Sequence, residues 1–65
     1  MSPIFSHTFE GQHEVALWQF ADESFAVTYG AETHERIPYT EAATRLGSAL
    51  MHAAACAGLI TGESA

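Results

Sequence analysis

Residues 40–60 read TEAATRLGSALMHAAACAGLI, and this stretch decides the fold. It has the marks of one helix over Glu41–Ala57. Thr40 is a good N-cap, because its hydroxyl can accept a backbone N–H of the first turn. Glu41 follows at the positive end of the helix dipole, four residues ahead of Arg45 in the favourable order. Gly58 supplies the left-handed residue that ends a helix, with Leu59 and Ile60 expected to fold back as its hydrophobic closure. Residues 61–65 are expected to be a frayed tail.

Around this helix, Ala43, Leu46, Leu50, Ala53 and Ala57 recur at spacings of three and four and predict the stripe that packs on a sheet. Glu41, Arg45, Ser48 and His52 form a wet stripe. A third row, Gly47, Met51, Ala54 and Gly58, joins three small residues to one adaptable methionine and would let another backbone come close. Apolar residues thus cover more of the circumference than one small sheet needs, which points to an oligomer.

The residues ahead of the helix carry strand signals. Segments 14–20 (EVALWQF) and 25–30 (FAVTYG) are rich in aromatic and branched side chains and flank the polar loop Ala21-Asp22-Glu23-Ser24. A turn at Asp22-Glu23 pairs Phe20 with Phe25, Trp18 with Val27 and Ala16 with Tyr29, all on one covered face. Val15, Leu17, Gln19, Ala26 and Thr28 then share the other face. A first strand over residues 4–9 joins through Glu10-Gly11. A two-residue loop there puts Phe5 and Phe9 on the covered face, and a three-residue loop puts Ile4 there instead. Gly30 to Arg36 reads as polar and irregular, with room for a short fourth strand around Glu35–Ile37. The fold class is α+β: a three-stranded antiparallel meander, with space for a fourth strand, covered on one face by the helix.

Sixty-five residues make one domain. A lone chain of that size hides only about 60 % of its unfolded surface, so it needs a disulfide, a metal or a partner. One cysteine, Cys56, excludes an internal disulfide and fits a reducing compartment. Eight acidic residues stand against two basic ones, Arg36 and Arg45, for a net charge of −6. Such a surface repels phosphate and argues against direct nucleic-acid binding. The N-terminus lacks the pattern of a signal peptide, and the apolar run 49–60 is too short to span a bilayer, so a cytoplasmic setting is expected.

Chemistry-bearing patterns are sparse. His7, His13, His34 and His52 show none of the tight spacings of zinc ligands, and no metal or cofactor is expected. His52 and Cys56, four apart, have the composition of a nucleophilic dyad, with Tyr39 near the helix start, but nothing in the sequence orients them or supplies a cleft. Glu10, Glu14, Asp22, Glu23, Glu32 and Glu35 offer an acidic surface to a basic partner. The leading expectation is a non-enzymatic interaction module that forms a homodimer through the Gly47, Met51, Ala54, Gly58 row. The alternative is an acidic inhibitor that covers a basic, nucleic-acid-binding surface of another protein. An enzyme or metalloprotein built on His52 and Cys56 comes third.

Overall fold

A computed structural model of the chain describes residues 2–60. Four strands in sequence order form one antiparallel sheet: β1 (Phe5–Thr8), β2 (Glu14–Gln19), β3 (Phe25–Tyr29) and β4 (Glu32–Ile37). The helix α1 (Tyr39–Cys56) follows and packs on β2 and β3. The architecture is α+β, as the sequence predicts, with the fourth strand fully formed. The tail expected over 61–65 lies outside the described residues.

The β2–β3 register differs from the expected one by a single residue. Phe20 and Ser24 close a loop of three residues, Ala21, Asp22 and Glu23. The Phe20 N–H donates to the Ser24 carbonyl at 2.9 Å, and the Glu23 N–H donates to the Phe20 carbonyl at 3.0 Å. Glu23 takes the left-handed conformation, φ 72°. An odd loop moves every partner by one. Gln19 now faces Phe25, Leu17 faces Val27 and Val15 faces Tyr29. Side chains alternate, so this slip exchanges the two faces of β2. The helix covers Val15, Leu17, Val27 and Tyr29, while Ala16 and Trp18 join Ala26 and Thr28 on the far face. The expected pairs of Phe20 with Phe25, Trp18 with Val27 and Ala16 with Tyr29 do not form.

At the first hairpin Phe5 pairs with Leu17 and Thr8 with Glu14. This is the register of the three-residue alternative, which sets Ile4 on the Trp18 face and Phe5 on the helix side. Strand β1 is shorter than 4–9, because the chain already turns at Phe9, whose carbonyl accepts the Gln12 N–H.

The stretch expected to be irregular is strand β4. Gly30 at φ 59° and Ala31, which has no positive φ, make the two-residue turn of type II′ geometry. Polar alternation suits an edge strand with water on its outer side. Val27 faces His34, yet Phe25 faces Ile37, so one extra residue bulges from β4. Arg36 sits in that bulge with φ 58°.

The helix begins two residues earlier than expected. Pro38 is the N-cap, with no side-chain cap, and Thr40 lies inside the first turn, where its carbonyl accepts the Thr44 hydroxyl. Proline needs no partner for its missing N–H and has a φ already suited to a helix start. The stop matches expectation. Gly58 at φ 82° gives its N–H to Ala55, and Leu59 gives its N–H to Ala54, the two bonds of a Schellman ending. Leu59 does not close it hydrophobically, for its side chain is 66 % exposed, whereas Ile60 is half-buried.

The helix is also rolled relative to the expected stripe. Ala42 and Ala53 are buried against the sheet and Leu46, Ala49 and Leu50 are half-buried, while Ala43 is exposed. Val27, Ile37 and Ala42 form the core cluster, with Leu17, Phe25 and Leu46 packed on it. Alanine at the contact lets the helix backbone lie close to the strands, which leaves the larger leucines on its flank.

Candidate functional site

Two grooves flank the helix, and they differ in chemistry. On one flank, positions 39, 43, 46 and 50 follow one another at helical spacing. Tyr39, Ala42, Ala43 and Leu46 meet Leu17 and Phe25 there around an apolar cleft of about 170 Å³. Tyr39 is 73 % exposed, and Phe5, opposite Leu17 in register, is 40 % exposed. This flank carries no formal charge.

On the other flank, the wet stripe Glu41, Arg45, Ser48 and His52 faces the β3–β4 hairpin across a wider groove of about 660 Å³. His13, Tyr29, Glu32 and His34 complete it. Arg45 Nε donates to Glu41 Oε2 at 2.8 Å, and its Nη1 lies 3.4 Å from His34 Nε2. His13 and His52 both stand edge-on to the Tyr29 ring, with centroids 6.3 and 5.9 Å away. Gly30 is where this side comes closest together: a Cβ there would lie 3.1 Å from the His13 ring. Three of the four histidines thus share one groove although they lie far apart in sequence. Among the described residues, no group of three or more His, Cys, Asp or Glu side chains is set to hold a metal. His7 stays apart, edge-on to Phe9 at 4.5 Å.

His52 Nε2 lies 3.6 Å from Cys56 Sγ, as the spacing of four implies. Both residues are exposed, and Tyr39 is far from them at the other end of the helix.

The carboxylates do not gather on one face. Glu10, Glu14 and Glu32 sit at the end of the sheet that holds the first and third turns. Asp22 and Glu23 sit at the other end. Glu35 lies on the β4 edge. Asp22 is drawn into local structure: its Oδ1 accepts the Ser24 hydroxyl at 2.6 Å and the Ser24 N–H at 3.0 Å. Those two bonds, the hydroxyl first, and then the nearby Arg36 hold its carboxyl below its ordinary pKa of 3.8. Arg36 Nη1 reaches Asp22 Oδ2 at 3.3 Å, and its guanidinium lies 4.0 Å over the Phe20 ring.

The expected contact row is divided. Gly47, Met51 and Gly58 are exposed and Gly47 has open space beside it, but Ala54 is buried at 8 %. Ala54 therefore belongs to the interior of the chain. Sequence reading missed the two grooves. The histidine groove joins β2, β3, β4 and the helix, and no local spacing announces it. The apolar flank carries a signal in Ala43, Leu46 and Leu50, which the sequence pattern places in the sheet contact, while Tyr39 lies outside that expected stripe.

Comparison with protein-family models, curated proteins and solved structures gave no match.

Proposed function

We propose that this chain is a small protein-binding module, without chemistry of its own, that works as a homodimer. One observation carries the reading. Among the described residues no leucine, phenylalanine, tyrosine, tryptophan or methionine is fully buried, and Val15 is the largest side chain that is. The core of a single copy consists of alanine, valine and one isoleucine. Large apolar side chains gain about 1.5–3 kcal/mol each on full burial, so a surface that contacts a second chain recovers what one copy leaves unburied. A standard interface takes about 800 Å² from each partner. Set against a total surface of 4433 Å², that is about 0.18 of it.

The lone exposed thiol fits a reducing, cytoplasmic setting. The His52–Cys56 pair stands in water on the last helical turns, where neither group is set against a held substrate. The acidic-inhibitor reading receives less support, since the carboxylates are spread over both ends of the sheet, the β4 edge and the helix, and Asp22 and Glu41 already pair with the arginines.

Thermal unfolding at a series of concentrations tests the proposal. A dimer that dissociates on unfolding has a midpoint that rises with concentration. A midpoint constant over a hundredfold range contradicts the homodimer.

A further inference from the structure

The helix covers β2 and β3 and leaves β1 bare, with all four residues Phe5–Thr8 exposed. Phe5 points to the helix side, beside Leu17. An apolar trough therefore lies on the β1 side of the helix, floored by Leu17 and Phe25 and walled by Tyr39, Ala43 and Leu46, with Phe5 the strand neighbour of Leu17. Neither residues 2–9 nor this wall contains an aspartate, glutamate, lysine or arginine. On a chain of net charge −6, an uncharged surface is where a second copy can dock without setting carboxylates against carboxylates. The β4 edge is closed to pairing by its bulge and by Glu32, Glu35 and Arg36.

We propose that the trough seats a second copy of this chain about a two-fold axis, so that each helix flank lies over the β1 strand of the other copy. This rests on the self-association proposed above and names its surface. A two-fold contact must be self-complementary, offering both projection and recess. Tyr39 projects at 73 % exposure beside the apolar cleft that would receive its counterpart. Exposed Ala43 and open Gly47 let the second helix come close. A buried aromatic in an apolar recess is the usual energetic centre of such a contact.

The test has two parts. In a mixture of isotope-labelled and unlabelled chains, NMR contacts between copies should join the Tyr39 ring to Phe5 or Leu17. In sedimentation equilibrium, Ala43→Glu should raise the dimer dissociation constant at least about tenfold, because it buries a charge in the seam. Ser48→Glu, on the opposite flank, should leave the constant unchanged. A wild-type dimer that shows no such contacts and is indifferent to Ala43→Glu overturns this seat while self-association stands. A wild-type chain that stays monomeric at high micromolar concentration overturns both.

Discussion

Glu23 holds a left-handed conformation, φ 72°, that costs a side chain with a Cβ about 1–2 kcal/mol. The bonds around it require that conformation, for Phe20 and Ser24 are joined on either side of the loop. Glu23→Gly should therefore stabilise the fold, by up to about 1 kcal/mol once the greater freedom of unfolded glycine is subtracted, as read from chemical denaturation. An unchanged or lower midpoint would mean that the loop does not hold this geometry. Its neighbour Asp22 gives a pH signature. Its folded pKa is lowered, so its contribution is present above the ordinary value of 3.8 and is lost as the pH falls through the lowered folded value. Asp22→Asn should lower stability at neutral pH and flatten the acid limb below pH 3.8. Equal acid limbs in the two proteins would contradict the assigned hydrogen bonds.

Among the elements, the helix was the most legible. Gly58 marked its end because a left-handed residue there costs glycine little. Thr40 misled by two positions, because Pro38 can begin a helix without a side-chain cap. The hairpins were legible as hairpins but not in register. Glutamate is a poor candidate for a positive φ, so nothing in Ala21-Asp22-Glu23-Ser24 announces the three-residue loop the chain adopts. That one residue reassigned both faces of β2. The roll of the helix has its own consequence. Gly47 meets no atom within 4 Å of an added Cβ and has no positive φ, so in dilute, dissociated protein Gly47→Ala should add about 0.5–1 kcal/mol through helix propensity. Ala53 is wholly buried, and Ala53→Leu should cost about 1–3 kcal/mol through overpacking, at any protein concentration. Denaturation midpoints of the two variants moving in the same direction would show that the helix is turned some other way.

At the scale of the molecule, a sheet of four short strands under one alanine-lined helix fixes how much a single copy can bury. The helix sits over the middle strands, and the surfaces beside it are unlike: a groove with three histidines, a tyrosine and an Arg45–Glu41 pair on one flank, an uncharged trough on the other. The sequence showed that apolar surface was in excess. It could not show which flank held the excess, because that depends on the roll of the helix on the sheet, which no local pattern sets. The excess is proposed to be covered by a second copy. Sedimentation equilibrium of the wild-type chain across the micromolar range measures it most directly. The expected result is a reversible monomer–dimer equilibrium that reaches twice the mass of the 7.0 kDa chain at high concentration. A single species of 7.0 kDa at every concentration up to the high micromolar range would contradict it.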